Sequence, residues 1–332
     1  MTRLRSAQPE SSVERFFLRQ SLQLANSQAA GALPDSVELE GTEAHHLLHV
    51  LRAKVGDRLG LFNGAGAEAL TEIVNIRKRS AELRLLETWS IPAESRTLTI
   101  AAAMPKGDRA RWLIEKSTEL GVTRLIPLRT QRSVVEPGES KMDKLEQAVI
   151  AACKQCGRSH LMTISPLMPF GKLLKELTPD RAHVDQPERA SVRFSHEQSH
   201  EPDASAFRLI IAHPSAQFSV SAVFSQIANT SITPITSGEP GGISPRTSVQ
   251  PVRGLTPPGS PDFIGTPLSL SDNGSQTNAQ SALMLIGPEG GFTDDEFSAA
   301  VTAGAIPVNL GPHILRIETA AIAVAAAWRF AK

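Results

Sequence analysis

The chain has 332 residues, 34 Lys and Arg against 34 Asp and Glu, 41% hydrophobic residues and two cysteines. That length favours two globular domains with a sizeable core, and two thiols exclude both a disulfide-rich scaffold and a four-thiolate zinc site. Zero net charge speaks against nucleic-acid binding through bulk charge but leaves room for a local basic face.

The first 90 residues read as strand-rich. Ser36–Leu39 and Arg58–Phe62 are short strands between Gly and Asp turns, with one helix over Glu43–Leu51 capped by Thr42. Ala67–Ile76 and Ser80–Leu86 form the next pair, with Arg77-Lys78-Arg79 at the turn. A small β-barrel-like module is expected here, and Thr88–Arg96, which contains Pro92, is the linker.

From residue 97 strands and helices alternate, which implies a largely parallel α/β sheet. Thr97–Met104 is a continuous apolar strand of the kind buried on both faces. Asp108–Leu120 is an amphipathic helix stopped by Gly121. Val122–Leu128 is a strand, and Lys141–Cys153 a helix with Met142, Leu145, Val149 and Cys153 in register. Arg208–Ala212, Leu283–Ile286 and Val308–Leu310 are further strands. Between Thr230 and Gln280, 30 of 51 residues are Pro, Gly, Ser or Thr and none is Lys. Such a composition buries too little apolar surface to offset its ordering entropy, so a disordered insertion is expected. No apolar run reaches the roughly 18 residues of a membrane span, and no apolar signal core follows Met1. A soluble, cytoplasmic protein with no membrane partner is expected.

Two stretches carry the chemistry. Leu283–Ile286 runs into Gly287-Pro288-Glu289-Gly290-Gly291, and a helix then opens with Thr293 as N-cap and Glu296 at N3. That is a capping box, with Phe292 and Phe297 placed as a hydrophobic staple. A strand, a Gly-rich loop and a helix in a parallel sheet form a place where small molecules bind. Val308–Leu310 then runs into Gly311-Pro312 and, through Ile314, Leu315, Arg316 and Glu318, into an Ala-rich helix. Two such loops at adjacent strand ends could wall one pocket, with Arg316 placed to neutralise an oxyanion or hold a phosphate. Arg316 and Glu318 could also simply form a local salt bridge.

Weaker signals are set aside. Gly64-Ala-Gly66 precedes a strand where a dinucleotide loop needs a helix. Cys153-Lys-Gln-Cys156 ends a helix where a redox pair would open one. His45 and His49 share a helical face but lack a third ligand, so no metal is expected. Basic residues cluster at 104–132, seven against three acidic, with Lys154 and Arg158 beyond.

The blocks RFFL (15–18), HLLHVLR (46–52), KGDRARWLIEKSTELGV (106–122), IAACKQCGR (150–158), IGPEGGFTDDE (286–296) and LGPHILRIETAA (310–321), in this order along the chain, resemble the RsmE family of 16S ribosomal RNA uridine-N3 methyltransferases. Ala212-His213-Pro214 is similar to that family's short motif after its middle strand. The resemblance spans roughly residues 13 to 330. It implies a PUA-like RNA-binding β-barrel over 1–90 and a SPOUT-type knotted α/β methyltransferase domain over 97–332, interrupted by the insertion at 230–280. It further implies S-adenosyl-L-methionine as cofactor, a homodimer, and 16S rRNA within the small ribosomal subunit as partner. By motif position, Leu285, Ile286, Gly287, Gly290, Gly291, Leu310, Gly311, Ile314, Leu315 and Arg316 line the cofactor pocket.

Uridine N3 must lose its proton before it can attack a methyl group, so a base, or a cation that stabilises the resulting enolate, lowers the barrier. Arg316 is the candidate cation, Glu289 the candidate base, and Glu318 a candidate orienting partner. Arg15, Arg19, Arg52, Lys106, Arg109 and Arg158 are candidate phosphate contacts. Competing readings are a SPOUT enzyme acting on a ribose 2′-hydroxyl or on transfer RNA, a catalytically silent RNA-binding assembly factor, and a dinucleotide-dependent enzyme.

Overall fold

Two sheets organise the chain. The computed structural model describes residues 13–19, 36–134, 139–177, 207–229 and 281–331. The Pro/Gly/Ser/Thr-rich segment at 230–280, expected to be disordered, lies outside the described residues, as do Arg3 and Arg5.

The first sheet contains β1 (Arg15–Phe17), β2 (Ser36–Leu39), β3 (Arg58–Phe62), β4 (Ala67–Ile76) and β5 (Ala81–Ser90), in the order β1-β3-β4-β5-β2. The β4–β5 hairpin turns at Arg77–Ser80, as the sequence pattern implies. β5 runs on to Ser90, so the connection to the second sheet is shorter than the predicted linker. Apolar side chains on one face, Phe16, Leu39, Leu59, Leu61, Ile73 and Leu83 among them, make a separate core. The helix expected at Glu43–Leu51 is a helical turn, α1 (Gly41–His45), running into a π-helical turn over His46–Val50. Its N-cap is Glu40 rather than Thr42, since Ala44 N already donates to Glu40 O at 3.4 Å, and Gly41 takes a φ of +66° that favours glycine. His45 and His49 do share a face, with rings 4.7 Å apart.

The second sheet contains β6 (Thr97–Ala102), β7 (Arg124–Arg129), β8 (Thr163–Ile164), β9 (Met168–Pro169), β10 (Phe207–Ala212), β11 (Phe218–Ser219), β12 (Ser281–Ile286) and β13 (Ile306–Asn309). Its order is β11-β13-β10-β12-β6-β7-β8, with β9 also on β7, and every pairing is parallel. The helices are α2 (Asp108–Glu119), α3 (Glu139–Cys156), α4 (Phe170–Leu177), α5 (Val220–Asn229), α6 (Asp294–Thr302) and α7 (Ile317–Phe330). Cores lie on both faces of the sheet: α2, α3, α5 and α7 cover one, α4 and α6 the other. This double cover explains why β6 and β12 are continuously apolar. β1, α4 and α5 were not legible in the sequence pattern. No helix among the described residues is long and apolar enough to cross a membrane.

The two sheets meet along the segment after α3. Gly66 N donates to Ser159 O, Leu161 N donates to Gly64 O, and Lys154 Nζ reaches the Glu43 carboxylate at 2.9 Å. Gly64-Ala-Gly66 is therefore a close-approach turn. Gly66 sits at φ +93°, where a Cβ would meet Ile91 O at 2.4 Å and the His160 ring at 2.6 Å. At the centre of the junction is buried Glu68. Its carboxylate accepts from Arg15, from Trp89 Nε1 at 2.8 Å and from Ser159 Oγ.

Candidate active site

Three loops leave the C-terminal ends of neighbouring strands: 213–217 after β10, 287–293 after β12 and 310–316 after β13. That edge of an open parallel sheet is where ligands bind. The middle loop is built tightly. A Cβ on Gly287 would meet Phe292 N at 3.1 Å, and Gly291 N closes a turn onto Pro288 O at 2.8 Å. The capping box is formed: Glu296 N donates to Thr293 Oγ1 at 3.2 Å and Thr293 N to the Glu296 carboxylate at 3.0 Å.

A brace that sequence reasoning missed holds this loop from β7. Arg132 Nη1 donates to Gly290 O at 2.6 Å, and Gln131 N donates to Glu296 Oε1 at 2.8 Å. The Thr130–Ser133 turn stiffens the brace, Thr130 N donating to Ser133 Oγ at 3.0 Å. A second missed group ties the outer loops together. Asn309 Nδ2 donates to Ala216 O at 2.8 Å, and Ser215 N and Oγ both face His213 Nδ1, at 3.3 and 2.7 Å. The His213 ring lies 4.1 Å from that of Phe297. The only local signal was Ala212-His213-Pro214 directly after a strand.

Beside the middle loop is a cleft of about 200 Å³, walled by Met104, Lys106, Arg109, Val134, Glu289 and Ile317 among others. Two helices begin at it, α2 after Gly107 and α7 after Arg316, and neither start carries a side-chain cap. Their free backbone N–H groups add positive potential there. Arg109 reaches two carboxylates through Nη1, Glu289 Oε1 and Glu318 Oε1, each at 3.5 Å. Glu289 is half exposed. Glu318, in the first turn of α7 and not ahead of the helix, is 4% exposed, and its Oε2 has no hydrogen-bond partner.

The predicted pocket residues fall into two groups. Leu285 and Ile286 are buried inside β12, and Gly287, Gly290 and Gly291 form the middle loop. Leu310, Gly311, Ile314 and Leu315 form the outer loop, where Ile314 is 85% exposed. At Gly291 and Gly311 the backbone is open, since a Cβ would meet nothing within 4 Å. Arg316 is exposed, and its side chain makes no hydrogen bond or ion pair among the described residues.

The predicted phosphate contacts divide differently. Arg15 turns inward to Glu68 and Cys153 O and lies over the Phe62 ring. Arg158 Nη1 donates to Thr118 O and Val122 O at the end of α2, and burial pulls its pKa down. Arg19 is exposed and pairs with Glu146; Arg52 is exposed at a φ of +55°; Lys106 and Arg109 line the cleft. No cluster of three metal-ligating side chains occurs among the described residues.

An all-parallel sheet with three loops at its carboxyl edge, joined to a small β module, defines an α/β protein of the ligand-binding class, and the comparisons make that class RNA methyltransferases. The RNA methyltransferase domain model matches residues 92–223 and 265–329, and the RNA methyltransferase PUA domain model matches 39–86. Ribosomal RNA small subunit methyltransferase E of Synechocystis is 25% identical over 94% of this chain and 77% of its own length. The Bacillus subtilis protein of that name is 26% identical over 85% of each. The crystal structure of the Neisseria gonorrhoeae enzyme of that name, bound to S-adenosyl methionine, superposes with a TM-score of 0.60 at 22% identity, covering 95% of this chain and 96% of that one. A Legionella pneumophila methyltransferase with bound cofactor gives the same score at 23% identity, covering 96% and 97%. The chain belongs to the ribosomal RNA small subunit methyltransferase E family of RNA methyltransferases, with an α/β catalytic fold and a PUA-like domain N-terminal to it.

Proposed function

We propose that this chain methylates N3 of one uridine in 16S ribosomal RNA, within the small ribosomal subunit and in the cytoplasm. In this reading residues 1–90 bind RNA and residues 97–332 carry out catalysis. The chain acts as a homodimer, and the knot of this class is formed at the two glycine loops. The observation that carries the reading is the cleft: an arginine between two carboxylates, beside open glycine backbone, in a chain of this family.

The residues present suit S-adenosyl-L-methionine. Gly291 and Gly311 leave open space beside the backbone, where a Cβ would meet nothing within 4 Å, and Leu310, Ile314 and Leu315 supply apolar surface. Backbone of Gly287, Gly290, Gly291, Gly311 and Leu315 would hold the cofactor, whose sulfonium supplies an electrophilic methyl group. Glu289, half exposed on the middle loop, is placed to accept the N3 proton, which would leave the N3 electron pair free for the methyl group that a bound cofactor would supply. Arg316 and Lys106 add positive charge near the cleft mouth. The tight middle loop and its brace contribute by positioning.

An N3 methyl blocks the Watson–Crick edge and stops reverse transcription. Expressed in bacteria deleted for their own family member, the chain should restore one such stop in 16S rRNA. Absence of the stop, with ribose methylation found elsewhere, would move the reading to another RNA position.

A further inference from the structure

We propose that Arg109, rather than Arg316, is the cation that takes up charge on the methylated base, with buried Glu318 as the positioning residue beneath it. This rests on the uridine-N3 reading and deepens it. Arg109 leaves the first turn of α2 and lines the cleft. Its two carboxylate contacts both use Nη1. No hydrogen bond of Nε or Nη2 occurs among the described residues, so three of its five N–H donors are without a hydrogen-bonded protein acceptor.

Glu318 explains why that guanidinium is held there. Its side chain is 6% exposed, and among the described residues Arg109 is the cation that reaches it within 4 Å. A buried carboxylate without a cation is costly, so Glu318 demands one at this place. With Oε2 sealed from solvent and Oε1 turned to Arg109, the influence of Glu318 passes through Arg109. Arg316 has no comparable anchor. Stabilisation of developing charge depends on donors already fixed in place, which favours the anchored arginine.

The chemistry needs such a cation. As N3–H passes its proton to Glu289, negative charge spreads over O2 and O4 of the uracil. When Glu289 becomes neutral, its hold on Nη1 weakens and the planar fork is freed for a carbonyl oxygen. Methyl transfer to N3 then disperses the charge.

The test is single-turnover transfer by the full chain, with S-adenosylmethionine and small subunits lacking the modification. Arg109→Ala should slow transfer about 100-fold, as losing one oxyanion donor does, with cofactor affinity within about threefold. Arg109→Lys should recover part of the rate, which guards against a folding defect. Glu318→Gln should slow transfer about tenfold and add little on top of Arg109→Ala, because it acts through the same group. Subunits carrying 5-fluorouridine, whose imide is more acidic, should rescue Arg109→Ala more than they accelerate the unmodified protein. The proposal is overturned if Arg109→Ala stays within about threefold while Arg316→Ala falls about 100-fold, or if fluorouridine speeds both proteins equally. A wild-type chain that yields no 3-methyluridine instead removes the underlying reading, and the proposal with it.

Discussion

Two buried glutamates face arginines in this molecule, and they are finished differently. Glu68, at the junction of the two sheets, is 7% exposed and accepts from Arg15, Trp89 and Ser159, so both of its oxygens are bonded. Glu318, at the cleft, is 4% exposed, meets one arginine at 3.5 Å and leaves Oε2 without a partner. A saturated carboxylate is a structural joint. An unsaturated one beside a half-exposed arginine keeps hydrogen-bonding capacity in reserve.

The contrast breaks first on stability. Glu68→Ala leaves the Arg15 guanidinium without its carboxylate at the junction, and should lower the unfolding free energy by about 3 kcal/mol. A loss below about 1 kcal/mol in urea titration would show that the node is not a joint. Glu318→Gln should do the opposite: it removes an under-satisfied charge, so stability should hold or rise by about 1 kcal/mol.

Smaller changes sharpen the picture of the loop. Arg132→Ala frees Gly290 O and should weaken S-adenosylmethionine binding about tenfold, equivalent to about 1.4 kcal/mol; calorimetry within about twofold of wild type would contradict the brace. Thr293→Ala should cost about 1 kcal/mol through the lost cap. The smallest effect is at the cysteines. Burial pushes the Cys153 thiol up to about 11, whereas Cys156 is exposed. A folded-state pKa above the ordinary 9.0 stabilises the fold below that pH, and the contribution is lost as pH rises toward about 11. One thiol per native chain should therefore alkylate at pH 8, and the second only on unfolding.

Features fixed by neighbours in sequence were legible. The capping box at Thr293, the stop of α2 at Gly121 and the double-buried strands β6 and β12 are dictated by local chemistry and a run of apolar residues. Features that depend on distant partners were not. β1 is three residues long and exists because it pairs in parallel with β3. Arg15 and Arg158 read as free surface cations because the carboxylate and carbonyls that engage them lie at least 36 residues away. The cleft was half legible: Glu289, Glu318 and Arg109 were each singled out, but their meeting joins α2 to a loop 180 residues further on. No spacing rule reaches that far.

The most direct test of the account is transfer of a labelled methyl group from S-adenosylmethionine to unmodified small subunits, followed by nucleoside mass spectrometry. The account predicts label in 3-methyluridine, at no more than one per subunit. Label in a 2′-O-methylated nucleoside, or cofactor binding with no transfer to assembled subunits, would contradict it.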